Sequence, residues 1–138
     1  MQNRDMSLDD CGIGPWEYRE LKAFCRQYDE KKEKAEDLLH QTGAKLTGMP
    51  RGGKISDPVC ITAVIREKLL RDCEMIEQAA KEADPAGYEA ILKNVTRGTP
   101  YEQCGYRGAK SPFFRARKEF FLQLYQKRWL ENKALRSG

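Results

Sequence analysis

Three features of this chain have residue types and spacings that invite chemistry: a glycine-lysine loop, a set of cysteines and a single histidine. The loop is LTGMPRGGKIS, in which Gly48-x-x-x-x-Gly53-Lys54 matches seven of the eight positions of a P-loop. Such a loop cradles phosphate on backbone N–H groups, and a Ser or Thr straight after the lysine holds Mg²⁺. Here Ile55 takes that place and the hydroxyl arrives one residue late, at Ser56. The preceding FCRQYDEKKEKAEDLLH patterns as a helix rather than the strand a P-loop needs, and Pro50 interrupts the loop. Nucleotide binding is therefore not expected. What remains is a basic turn, with Lys45, Arg51 and Lys54 placed to touch a phosphate or an acidic partner.

Cys11, Cys25, Cys60, Cys73 and Cys104 are odd in number and form no C-x-x-C pair. The one histidine, His40, completes no recognisable zinc set with them. Cys25, Cys60 and Cys73 fall in helical patterns, where buried free thiols are expected. A hydrolase or transferase would need a converging nucleophile, base and orienting group. His40 has no obvious catalytic Asp or Cys partner, and no carboxylate pair stands out from the Lys/Glu background. The expectation is no catalytic residue, no metal and no cofactor.

Charge gives a more positive indication. From Thr99 onward, nine Lys and Arg face three Glu, a balance of +6. The whole chain carries only +4, which leaves −2 for the first 98 residues. Such asymmetry points to an acidic partner for the C-terminal part, with double-stranded DNA the first candidate. No apolar run approaches the roughly 18 to 20 residues needed to span a bilayer, and no signal-peptide core follows MQNRDMSLDD. A soluble intracellular protein with no membrane partner is expected.

The elements that must position these residues are all helical. Ser56-Asp57-Pro58, Asp84-Pro85, Thr99-Pro100 and Ser111-Pro112 each set a capping side chain before proline, and Gly14-Pro15 marks a fifth helix start. No alternating strand pattern is present. After a flexible start at 1–14, a long antiparallel hairpin is predicted over 15–84. Its first helix runs from about Trp16 to His40, with a seam of Leu21, Phe24, Tyr28, Lys31, Ala35 and Leu38. Its second runs from Pro58 to Ala83, with Ile61, Ile65, Leu69, Ile76 and Ala80 in one stripe. Parallel self-association into a coiled coil is the competing arrangement.

Residues 85–138 read as a helix-turn-helix: a helix over about Pro85 to Thr96, a very short one over Pro100 to Cys104, a glycine turn, and a long helix from Pro112. A recognition helix enters the major groove by its N-terminal end. Lys110, Ser111, Arg115 and Lys118 are placed to meet bases and phosphates, with Arg107 and Arg117 on flanking phosphates. Phe113, Ala116, Phe120 and Leu124 form the packing stripe, and Phe121, Tyr125 and Trp129 are candidates for a homo-oligomer interface.

The runs GMPRGGKISDP, NVTRGTPYEQ and SPFFRARKEFF resemble small phage and prophage transcriptional regulators of Gram-positive bacteria, near the RinA and ArpU groups. The matching positions are Val95, Thr96, Gly98, Tyr101 and Glu102, then Phe113, Phe114, Arg115, Arg117, Phe120 and Phe121. The resemblance implies a DNA-binding regulator with a module like sigma-factor region 4, working in the cytoplasm of a bacterial host without catalytic residues. Two alternatives stand beside it. One is a protein-binding adaptor that docks host RNA polymerase or blocks a host defence nuclease. The other is a small terminase-like packaging oligomer.

Overall fold

The seam predicted for one long first helix is divided between two. In the computed structural model, which describes residues 12–46 and 58–137, α1 (Pro15–Arg26) ends at Gln27 and α2 (Tyr28–Leu46) begins one residue later. Gln27 sits at φ −87°, ψ 0°, and its N–H turns back to Phe24 O at 3.3 Å. Intrinsic propensity does not foretell this break, because Gln is a good helix former. Three further helices follow: α3 (Pro58–Ala83), α4 (Tyr88–Arg97) and α5 (Lys110–Ser137), with a 3-10 turn at Tyr101–Gln103 before the last. The described residues are all-α and contain no strand.

The chain divides into two compact units. One takes residues up to Gln27 and from Met75 onward; the other is Tyr28–Glu74. The division places α1, predicted to belong to a 15–84 hairpin, with α4 and α5, and it falls within α3.

Within the first unit, Pro15 at the first helical position gives up no needed donor, and the Glu17 carboxylate accepts the Gly14 N–H at 2.9 Å. That closes the N-terminus of α1, whose buried residues are Tyr18, Leu21, Phe24 and Cys25. Also buried in this unit are Ile76 and Ala80 of α3, Ile91 and Val95 of α4, and Phe113, Phe120, Phe121 and Leu124 of α5. Each of those three phenylalanines has no exposed surface, and burial of such a ring contributes about 1.5–3 kcal/mol.

The same core corrects two expectations. Phe121 is fully buried and packs edge-on to Tyr18 with centroids 5.2 Å apart, so it belongs to the interior and not to an oligomer interface. The division of the aromatics is set by a core wider than one stripe. Ala116, assigned to the packing stripe, is only half-buried.

In the second unit, contacts between α2 and α3 follow opposite chain orders. The Cys73 thiol donates to Tyr28 O at 3.6 Å, Lys31 pairs with Asp72 at 2.8 Å, and Arg66 Nε donates to Ala35 O at 3.1 Å. Asp72 also accepts from Lys68 at 2.9 Å. Burial alone would raise the Asp72 pKa, but these two ammonium groups outweigh it and hold the carboxyl below its ordinary value.

The stripe predicted along α3 holds only in part. Ile76 and Ala80 are buried, Leu69 is half-buried, and Ile61 and Ile65 are exposed. Cys60, predicted to be a buried thiol, is exposed for the same reason: it lies in the early turns of α3, where little of the helix surface is covered. Cys25, Cys73 and Cys104 are buried and free.

Candidate nucleic-acid interface

The segment from Asp84 to Lys110 fixes where the basic end of α5 stands. Asp84, predicted to cap a helix beginning at Pro85, instead holds a three-residue turn: its Oδ1 accepts the Gly87 N–H at 3.0 Å and α4 starts at Tyr88. The other oxygen, Oδ2, accepts the Tyr106 hydroxyl at 2.9 Å. Burial and this bond to a carboxylate both raise the Tyr106 pKa.

The Tyr106 ring lies between two glycines. A Cβ on Gly87 would stand 2.6 Å from one ring carbon, and a Cβ on Gly108 would stand 2.8 Å from the opposite edge. The ring also packs edge-on to Phe113 at 5.1 Å, and the Tyr101 hydroxyl donates to Gly108 O at 2.8 Å. A turn that reads as loose in composition is therefore clamped by two tyrosines. Gly105, at φ +81°, occupies the left-handed region that glycine enters without strain.

α4 closes just before this turn. Gly98 at φ +75° lets its N–H reach Asn94 O at 2.9 Å, the αL closure of a helix end, and the Thr99 N–H reaches Lys93 O at 3.3 Å. The Asn94 amide spans to Thr99 O at 3.0 Å, where the Cys104 thiol also donates at 3.2 Å. Burial raises the Cys104 pKa. A hollow of about 450 Å³ beside the turn is bounded by Ala86, Glu89, Lys93, Cys104, Tyr106 and Arg107.

On this frame the six predicted DNA contacts separate. Arg107, Lys110, Ser111 and Arg115 are exposed. Among the described residues, Arg107 and Arg115 make no hydrogen bond or ion pair. Lys110 lies 3.7 Å from Glu102, a pair exposed on both sides and worth little. Ser111 is not a cap as predicted, because α5 already starts at Lys110. Lys118 is half-buried and engaged elsewhere in the chain.

Arg117 departs furthest from expectation. It is half-buried, with Nε donating to Asn94 Oδ1 at 2.6 Å and Nη1 to the Tyr18 hydroxyl at 3.0 Å, and it lies 5.0 Å over the Phe121 ring. Its place is between α1, α4 and α5, since Arg117 follows Phe113 by four residues on the inward face. It is not placed as an outward phosphate contact.

Charge farther along α5 is also spent within the unit. Lys127 pairs with Glu82 at 3.0 Å, and Arg128 pairs with Glu20 while lying 4.1 Å over the Phe24 ring. Tyr125, predicted at an oligomer interface, is half-buried and donates to Glu17 at 3.0 Å. Trp129 does stand 54% exposed. Trp16 of α1, at 74%, lines the same surface hollow as Trp129, a feature the sequence reading did not single out. Of the predicted contact loop, Lys45 lies in the last turn of α2, and Arg51 and Lys54 lie outside the described residues.

No family model, curated protein or solved structure matches this chain. No described helix is long and apolar enough to cross a membrane.

Proposed function

We propose that this protein binds double-stranded DNA through the N-terminal end of α5, with the segment from α4 to α5 serving as a helix-turn-helix. The observation that carries the reading is the exposure of Arg107, Lys110, Ser111 and Arg115 around one helix start, with no hydrogen bond or ion pair from the Arg107 and Arg115 guanidinium groups among the described residues. Arginine in that position is suited to phosphate and to guanine edges. The clamped turn supports the reading, since it fixes Arg107 relative to α5 before any partner arrives. Transcriptional regulation in a phage setting is the biological role proposed for this binding, on the resemblance of NVTRGTPYEQ and SPFFRARKEFF.

The experiment is a mobility shift on a mixed pool of duplexes at several salt concentrations. Binding that weakens with salt, and weakens again in Arg107→Ala/Arg115→Ala, supports the proposal. No shift at low salt with any duplex would sink it, and with it the packaging alternative.

A protein-binding adaptor is the second reading. It is favoured by the apolar surface of the Tyr28–Glu74 unit, where Leu39, Ile61, Val64 and Ile65 are exposed. Retained binding of a host polymerase by a chain carrying Arg107→Ala/Arg115→Ala would favour that reading instead.

A further inference from the structure

Both tryptophans of the chain border one surface hollow of about 430 Å³. Trp16, Glu17 and Glu20 of α1 form one side, and Tyr125, Arg128 and Trp129 of α5 form the other. The two helices belong to the same compact unit. Trp16 is 74% exposed and Trp129 54%, although rings of this size are mostly buried in folded chains.

The polar groups between the rings are held in place. Glu17 accepts the Gly14 N–H at 2.9 Å on one oxygen and the Tyr125 hydroxyl at 3.0 Å on the other. Glu20 pairs with Arg128 through one oxygen. A carboxylate has about four acceptor positions, so both can take a further donor without giving up these bonds. The lining contains two carboxylates and one guanidinium, a balance of −1.

The chain's own cations show what the indoles attract. Arg19 lies 4.5 Å over the Trp16 ring, and Lys133 lies 5.6 Å over the Trp129 ring. Neither lines the hollow, so neither fills it. Both are exposed, and solvent and salt weaken their repulsion of an incoming cation.

Size argues against a second copy of the chain as the occupant. A buried aromatic ring covers roughly 150–250 Å², so two fall short of the roughly 800 Å² that each partner gives to a stable interface. The surface is also concave, a shape that receives one inserted side chain. We infer that the hollow binds an arginine side chain presented by a partner protein. A guanidinium is planar, so it stacks on an indole while its edge donates to carboxylates at the positions of Glu17 and Glu20. Lysine has no plane to stack, an apolar side chain would make no use of the acids, and an acidic one would meet like charge. Trp, Tyr and Arg are also the residues enriched at the centres of interfaces, where they pair across the two partners.

Because both tryptophans stand here, their emission reports on this site alone. The test titrates the whole chain with acetyl-Ala-Arg-Ala-amide at constant ionic strength, against the same peptide with Lys, Leu or Glu in the middle. A saturable emission change is expected with Arg, a weaker one with Lys, and none with Leu or Glu. Trp16→Leu and Trp129→Leu each keep the other ring as reporter. Each should weaken the Arg peptide about two- to fivefold, the worth of one exposed cation–π contact. Glu20→Gln should weaken it by about the same factor. Native helix content and an unchanged urea midpoint establish that the variants remain folded. No saturable change with the Arg peptide, or an equal one with the Leu peptide, would overturn the inference. Emission that follows protein concentration, with a dimer in sedimentation, would overturn it in favour of a second copy. A response to oligothymidylate without one to the Arg peptide would overturn it in favour of a nucleobase. Arg107 and Arg115 lie outside this lining, so the outcome of the duplex experiment leaves the result readable.

Discussion

Tyr106 donates its hydroxyl proton to Asp84 at 2.9 Å, and this bond joins the turn before α4 to the turn before α5. The residues are far apart in sequence, and the same Asp84 carboxylate accepts the Gly87 N–H on its other oxygen. Two tight turns are thereby held by a single side chain.

Tyr106→Phe should cost about 1 kcal/mol, the usual net worth of one such bond, read from urea denaturation. Gly87→Ala should cost more, because its methyl would enter the space of a ring already packed on Phe113. An equal or smaller loss in Gly87→Ala would show that the ring can swing aside. The Tyr106 contribution also has a pH signature. Its folded pKa is raised, so the stabilisation is complete below the ordinary tyrosine value near 10 and is lost as pH rises through the folded value.

Arg115 and Arg117, two residues apart, should behave oppositely. Arg117→Ala removes donors to Asn94 and Tyr18 and should destabilise the chain by about 1–3 kcal/mol. Arg115→Ala should leave stability within about 0.5 kcal/mol. For DNA binding, Arg115→Ala should lower the magnitude of the salt slope by about one if it meets a phosphate. Stability loss in Arg115→Ala comparable to that in Arg117→Ala would remove the distinction.

The Asp72 carboxylate should make the Tyr28–Glu74 unit sensitive to acid. Its folded pKa is depressed from the ordinary 3.8 by Lys31 and Lys68, against burial. The stabilisation is therefore present above the unfolded value and disappears as pH falls through the folded one. Hydrogen exchange of α2 and the early part of α3 should accelerate on acidification below about pH 4, more than exchange in α5. Asp72→Asn should flatten that difference.

Thiol labelling offers an independent check on packing. Cys60 should react with a soluble disulfide reagent in the native state, whereas Cys25, Cys73 and Cys104 should wait for denaturant. Peptide mass mapping assigns each site. Early labelling of Cys104 would contradict both its burial and its raised pKa.

The helical class and most helix positions were legible because proline and its preceding polar residue punctuate the chain so often. α3 begins at Pro58 and ends at Ala83, as predicted from those marks and its apolar spacing. The break at Gln27 was not legible, since a good helix former carries no local stop signal and the seam continues through it. Nor was the role of Arg117 legible: charge counts treat every arginine as available, and only packing shows which one is drawn inward by Asn94 and Tyr18. Tyr106 escaped notice because its partner Asp84 stands far back in the sequence. Gly108 beside it and Gly87 before α4 are the space the ring requires.

The division of the chain has a consequence for the order of folding. The unit containing α5 is built from two stretches of sequence, with residues 28–74 intervening. Closing it from an unstructured chain means confining the ends of that long excursion, at an entropic cost that grows slowly with length. The bond from the Cys73 thiol to Tyr28 O shows that the two ends of the excursion meet in the folded state. If α2 and α3 pair early, the remaining closure is short and the core of Phe113, Phe120 and Phe121 forms over a small search. Weakening Asp72 would then slow the assembly of the core of the other unit, a kinetic debt visible in refolding rates measured at the tryptophans.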